Sequence, residues 1–136
     1  MKTVVDTNVV VSSLLRDGKP RKIIAAILER PYTDWIISDE IRAEYEEVIC
    51  RPKFNMPSDV IEDWFRIFST LTLFDDSNID IDFPRDPKDE KFLRCCIAAN
   101  ADYFVTGDGD FRGIDKIGET TVISVSDFWK LLNQGN

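Results

Sequence analysis

The stretch TVVDTN at residues 3–8 decides the fold, because it passes from β-branched apolar residues to an acid within a few positions. Residues 3–5 have the composition of a buried strand, and a second β-branched run follows at residues 9–11. We therefore predict a buried strand with an abrupt change at Asp6. Asp6 could simply cap the following backbone, but an unpaired charge is costly to bury among apolar residues. Asp6 is therefore a candidate functional residue.

Short apolar segments alternate with amphipathic ones along the rest of the chain. Further strands are expected at residues 35–37, 103–105 and 121–125, and an irregular acidic loop at residues 78–85. Helices are expected to open at five positions, namely Pro20, Ser38, Pro57, Asp86 and Ser126. The helix from Pro57 is so apolar that we expect it to be well buried. This alternation predicts an α/β fold with a parallel sheet covered on both faces, in which ligands gather outside the carboxyl ends of the strands.

The size and apolar content of the chain predict one domain over residues 1–136. The hydrophobic content of 43% is enough for a core. No apolar run approaches the ~20 residues of a membrane helix, and the early acid Asp6 argues against a signal peptide. Cys95 and Cys96 are adjacent in an apolar segment, which favours buried thiols in a reducing cytosol. We therefore expect a cytoplasmic protein.

The chain contains no histidine, and its formal net charge is −8, from 25 acidic and 17 basic residues. The lack of histidine excludes histidine-based catalytic triads, histidine general bases and Cys-His metal sites. The acidic balance disfavours generic nucleic-acid binding, unless some of the acids hold metal cations. Any catalysis must therefore depend on carboxylates.

Four glutamates lie on the helix expected after Ser38, and helical geometry separates them. At ~100° per residue, Glu44 lies about 60° from Ile41, at the edge of the apolar arc that Ile41 and Tyr45 share. The other three glutamates lie farther from this arc, and Glu46 points away from it. Glu44 is therefore the glutamate that we expect to face inward.

Two more acidic groups stand at predicted element boundaries. Asp86, Asp89 and Glu90 open a helix, where acids also stabilise the helix dipole. Asp108 and Asp110 lie on a glycine-rich turn directly after a strand, a place where turns use Asp routinely.

A calcium-binding loop beginning at Asp108 is excluded, because Arg112 would occupy a ligand position and a strand rather than a helix precedes it. Together with Asp6 and Glu44, the remaining acids make an all-oxygen set without His or Cys. Such a set suits the hard cations Mg²⁺ and Mn²⁺. These ions can activate water and stabilise a leaving oxygen in phosphoryl chemistry, which needs no histidine.

Four segments resemble, in order, the motifs of PIN-domain nucleases. They are residues 6–8 (DTN), Ser38 with Glu44 and residues 48–54 (VICRPKF), residues 86–89 (DPKD) with Ala98 and Ala99, and residues 105–111 (VTGDGDF). The resemblance runs from residue 3 to about residue 128. It implies a three-layer α/β/α sandwich with a central, mainly parallel sheet and a metal-dependent ribonuclease site.

The resemblance also implies roles for individual residues. The catalytic acids, which would hold Mg²⁺ or Mn²⁺, are Asp6, Glu44, Asp89 and Asp108, with Asp110 as an auxiliary metal ligand and Thr106 in a supporting role. In the third motif, Asp86 and Glu90 are alternatives to Asp89. The chain is most similar to the toxin components of bacterial and archaeal toxin–antitoxin pairs. This implies an RNA substrate, an antitoxin partner and a homo-oligomer, specifically a dimer.

Two alternative functions follow from the same acids. A phospho-acceptor signalling domain also clusters acids around Mg²⁺, but it requires a Lys at the end of a later strand. The strand at residues 121–125 is followed by no such Lys, which disfavours this alternative. A PIN-like domain that only binds RNA or a protein, without catalysis, is the second alternative.

Overall fold

The structure is a computed structural model that describes residues 1–81, 89–107 and 114–134. In chain order these residues form β1 (Lys2–Val5), α1 (Thr7–Leu15), α2 (Lys19–Glu29), β2 (Asp34–Ile37), α3 (Asp39–Ile49), a 3₁₀ helix (Pro52–Phe54), α4 (Ser58–Ser69), β3 (Thr72–Leu73), α5 (Glu90–Ala99), β4 (Tyr103–Thr106), β5 (Lys116–Ile117), β6 (Thr120–Ser124) and α6 (Val125–Leu132). Among these helices, each is too short or too polar to cross a membrane.

The strands form a sheet in the order β3-β2-β1-β4-β6-β5. All pairings are parallel except that of β5 with β6. Thr3 of β1 is in register with Trp35 of β2 on one side and with Tyr103 of β4 on the other. Because the parallel strands share one direction, their carboxyl ends lie along one edge of the sheet, as the sequence predicts.

Helices cover both faces of this sheet. Tyr103 and Phe104 are consecutive residues of β4, so their side chains point to opposite faces. The ring of Phe104 stacks on Phe92 of α5 at a centroid distance of 5.5 Å. The ring of Tyr103 contacts Phe128 of α6 at 5.8 Å. The fold is therefore the predicted three-layer α/β/α sandwich.

The β-branched run at residues 9–11 does not form a strand, because it belongs to helix α1. Asp6 has an extended backbone with φ −64° and ψ 143°, and its Oδ1 accepts a hydrogen bond from the Asn8 N–H at 3.5 Å. The acid therefore ends β1 and caps α1. Val9 and Val10 are buried in the core, and this packing overrides the β propensity of the run.

One helix cap also differs from expectation. Ser124 rather than Ser126 is the N-cap of α6, and its Oγ accepts a hydrogen bond from the Asp127 N–H at 3.1 Å. Several polar residues precede the apolar face of α6, so composition alone does not select its cap. Helix α5 begins at Glu90 with Asp89 in the N-cap position, and the cap predicted at Asp86 lies outside the described residues.

Helix α4 is less buried than expected, since Phe68 is its single fully buried residue. Phe68 contacts Trp35, Tyr45 and Trp64 at centroid distances of 6.3, 5.2 and 5.7 Å. The other apolar side chains of α4 are half-buried or exposed, because the helix contacts α3 and the edge of the sheet mainly through Phe68. A continuous apolar sequence therefore gave an overestimate of burial.

We predict that Phe68→Ala destabilises the protein by about 3–5 kcal/mol, since it leaves a cavity among three aromatic rings. Phe65→Ala is the matched control, because Phe65 is on the same helix and is 36% exposed. The control should cost less than about 1 kcal/mol. Urea unfolding of both variants measures the difference, and equal losses would contradict the burial of Phe68.

Candidate active site

The candidate site begins at the carboxyl ends of the two central strands. Asp6 follows β1, and Thr106 is the last residue of β4. The Asp6 N–H donates to the Val105 carbonyl at 2.9 Å, and Thr106 Oγ1 donates to Asp6 Oδ2 at 2.8 Å. The carboxylate of Asp6 is thereby oriented by neighbouring strand residues while Asp6 is only 8% exposed.

Glu44 joins the site from helix α3. Its Oε2 accepts a hydrogen bond from the hydroxyl of Thr7, the residue next to Asp6. Its Oε1 lies 2.9 Å from Nζ of Lys91 on α5. Glu46 is equally shielded but pairs with Arg42 on its own helix. Glu44 is therefore the glutamate of α3 that faces the end of β1, in agreement with the inward orientation expected from helical geometry.

Tyr45 fixes the position of α3 against β1. Its hydroxyl donates to the carbonyl of Val5 and accepts a hydrogen bond from Trp35 Nε1 at 3.4 Å. Burial raises the pKa of Tyr45 well above its usual range, and the nearby carboxylates of Asp6 and Glu44 raise it further. The phenol is thus neutral at physiological pH. Sequence reasoning placed Tyr45 in the core but missed this positioning role, for which a buried aromatic with a polar tip is the available signal.

The other predicted site residues fall into two groups. Asp89 occupies the N-cap position of α5, two residues before Lys91. Asp108 and Asp110 lie outside the described residues. Within residues 1–81, 89–107 and 114–134, no three carboxylates or thiols form a group that could hold a metal ion. Contacts among the described residues therefore join Asp6 to Thr106 and Glu44 to Thr7, whereas the convergence of all the acids stays a prediction.

Comparison with known families gives an independent result. Residues 2–110 match the family model of the PIN domain, which is more than half of the chain. The chain belongs to the PIN-domain family. No curated protein matches the sequence. PIN domains are generally nucleases and typically use a divalent metal ion, so this chain has a nuclease-type fold.

The donor atoms at the site fit the metal ions that PIN domains typically use. Asp6 and Glu44 offer carboxylate oxygens, and the hydroxyls of Thr7 and Thr106 hold these carboxylates in place. Mg²⁺ is usually bound through one or two carboxylates together with water and substrate phosphate. Two carboxylates at the carboxyl edge of the sheet therefore meet the minimum that such an ion requires.

Two cavities flank this edge of the PIN domain and differ in charge. One, of about 300 Å³, has a mainly apolar lining that also includes Asn8, Ser12, Lys19 and Ser126, with no acid among its described lining residues. The other, of about 460 Å³, is lined by four acids and Arg94. The first cavity therefore has one cation, Lys19, among its described lining residues, whereas the second is rich in acids.

Asp76 is an acid of the second cavity that sequence analysis did not single out. Its Oδ2 is buried without a hydrogen bond among the described residues, and it lies 3.9 Å from Nε of Arg94. Burial raises the pKa of Asp76, and the opposite effect of Arg94 does not compensate fully. Ionisation of this carboxyl group is therefore less favourable in the folded protein than in the unfolded chain.

We predict that Asp76→Asn raises the Tm at pH 7. Because the folded-state pKa of Asp76 is raised from 3.8, its stabilising contribution is complete below that value and is lost as pH rises through the folded pKa. The advantage of Asp76→Asn should therefore disappear when the pH falls below about 3.8. Thermal melts from pH 3 to 7 measure this effect.

Asp75→Asn is the matched control for this prediction. Hydrogen bonds from Ser77 hold the pKa of Asp75 below its usual range, so its contribution is present at neutral pH and is lost on acidification. This variant should melt lower than wild type at pH 7, with a difference that also vanishes in acid. Shifts of the same sign for both variants would contradict the assignment.

Proposed function

We propose that this PIN domain is a Mg²⁺- or Mn²⁺-dependent endoribonuclease that hydrolyses the phosphodiester bonds of RNA. The observation that carries the proposal is the position of Asp6, which is nearly buried at the carboxyl end of a central parallel strand. Glu44 accepts a hydrogen bond from Thr7, the residue next to Asp6, and the carboxylates of both acids raise the pKa of the buried Tyr45 phenol. Metal-dependent hydrolysis fits a chain without histidine.

The residues of the site would share the work of binding and orientation. Asp6 and Glu44 would hold the cation, with Asp89, Asp108 and Asp110 as the further ligands that the motif resemblance supports. When bound, a divalent cation supplies a water of lowered pKa and stabilises charge on the phosphate. Thr106 keeps the carboxylate of Asp6 turned toward the site, and Thr7 does the same for Glu44.

Tyr45 would set the spacing between the two acids. Its hydrogen bond to the Val5 carbonyl joins α3 to the last residue of β1, so Glu44 cannot move away from Asp6 without breaking a buried contact. Fixed ligands of this kind lower the reorganisation that a metal site needs when substrate arrives. The cavity beside Lys19 gives the RNA chain an approach without acids among its described lining residues.

Asp6→Asn should lower RNA cleavage by about 10²–10³-fold, the usual loss when one electrostatic partner of a transition state is removed. Asp34→Asn is the control, since Asp34 is exposed at the start of β2, on the opposite edge of the sheet. Cleavage of single-stranded RNA in Mn²⁺, with and without excess EDTA, provides the measurement. Undiminished cleavage by Asp6→Asn, or by wild type in EDTA, would refute the proposed mechanism.

We further propose that the protein is the toxin of a toxin–antitoxin pair and acts on RNA in the cytoplasm as a dimer. The motif resemblance supports this role. A small antitoxin would cover the site around Asp6 and Glu44, and an Arg of that partner could pair with their carboxylates. A phospho-acceptor function is disfavoured by the match to the PIN-domain family, whereas a binding role without turnover is the alternative that cleavage assays decide.

Induced expression of the wild-type chain alone should arrest growth of a bacterial host, because unrestrained RNA cleavage is harmful. Asp6→Asn, expressed at the same level, should be harmless, and Asp34→Asn should be as harmful as wild type. Growth curves with matched protein levels measure the difference. Normal growth with a wild-type protein that cleaves RNA when purified would exclude the toxin role.

A further inference from the structure

The ion pair between Lys91 and Glu44 differs from the exposed pairs on the surface. It joins α5 to α3 across 47 residues, and the two side chains are only 18% and 28% exposed. Arg42–Glu46 and Arg66–Asp63 lie within single helices, and Arg51–Glu47 joins α3 to a residue just beyond its C-cap. All three pairs have more exposed basic side chains. Such pairs contribute little to stability. Like Arg94–Glu40, which also joins α5 to α3, the Lys91–Glu44 pair is therefore a tertiary contact, and its acid is the more shielded of the two.

The place of Lys91 in its helix also requires explanation. Lys91 is the second residue of α5. A positive charge in the first turn of a helix is unfavourable, because the amino end of the helix dipole is itself positive. Glu44 compensates for this cost, since its carboxylate lies 2.9 Å from the ammonium. The pairing of Lys91 with Glu44 thus accounts for a cation at a position where helices favour acids.

The two oxygens of the Glu44 carboxylate have different partners. Oε2 of Glu44 accepts a hydrogen bond from Thr7, and Oε1 contacts Lys91. A divalent cation binds a carboxylate oxygen at roughly 2.0–2.1 Å for Mg²⁺. An ammonium and a divalent cation on the same oxygen repel each other, so each weakens the binding of the other.

We propose that the Lys91 ammonium is the counter-cation of Glu44 in the metal-free protein, and that a divalent cation binds by displacing it. This inference rests on the proposed function, because it takes Glu44 as a metal ligand. Lys91 is then a positioning residue that stabilises the free acid and weakens metal binding. Its displacement would also release the contact between α3 and the first turn of α5, directly beyond Asp89.

The test compares Mn²⁺ binding by wild type with Lys91→Met, which keeps the length of the side chain and removes its charge. Titration calorimetry should show a Kd about tenfold lower for Lys91→Met, since a charge-assisted contact no longer competes for Glu44. In EDTA the same variant should melt below wild type, and saturating Mn²⁺ should narrow this difference. Lys91→Arg should restore a Kd close to that of wild type.

Arg51→Met is the matched control, because it removes one positive charge from an exposed pair with Glu47 on α3. Its Kd for Mn²⁺ should equal that of wild type. An equal decrease in the Kd for Mn²⁺ in Lys91→Met and Arg51→Met would show a general effect of charge and would overturn the proposal. An unchanged or higher Kd for Lys91→Met would overturn it as well.

The same titrations separate this inference from the proposed function. If Lys91→Met binds Mn²⁺ while wild type does not, displacement of Lys91 is supported in its strongest form. If wild type binds and Lys91→Met binds equally, the metal site stands and only the role of Lys91 fails. If neither protein binds Mn²⁺ by calorimetry or by a shift in Tm, the proposed metal-dependent function fails together with this inference.

Discussion

Val5 pairs with Val105 in the parallel register of β1 and β4, and this pairing places Asp6 beside Thr106 at one edge of the sheet. The arrangement depends on register to within one residue. A shift of one position would turn every side chain of the strand to the other face, because the period of a strand is two. The buried valines would then face the wrong layer, so the packing of the core and the orientation of the acid are specified by the same constraint.

Helix α3 transmits this constraint to the second acid through two consecutive residues. Tyr45 is tied to the carbonyl of Val5 and packs on Phe68, whereas Glu44 contacts Thr7 and Lys91. The helix therefore presents one residue to the core and the next to the site. Because the aromatic cluster holds α3 in place, changes in the core also reach the candidate site.

The acids of the site have partners within the protein. Asp6 accepts hydrogen bonds from Thr106 and from the backbone of Asn8, and Glu44 faces one ammonium. A folded protein that keeps acids in a shielded place gives up stability unless such partners compensate. These partners offset part of the free-energy cost of holding acids at the site in a chain with a net charge of −8.

The sequence alone determined the features that depend on local patterns. Apolar runs predicted the positions of β2, β4 and β6. Helical periodicity predicted that Glu44 faces inward, and the acid at the end of the first apolar run indicated Asp6 as a candidate site residue. These features are local because the periods of strands and helices are expressed within a few residues. The two-residue strands β3 and β5 were missed, since so short a segment carries no period.

Only the tertiary structure decided the features that depend on distant partners. Lys91 meets Glu44 across 47 residues, Asp76 loses solvent beside Arg94, and the valines of α1 become helical because the core accepts them there. The modest burial of α4 has the same origin, since it depends on what lies opposite the helix and not on its own composition. Local sequence indicates which side chains favour burial. Contacts across the sheet and between helices determine which of them are buried and with which partner, because the free energy of such a contact depends on both residues.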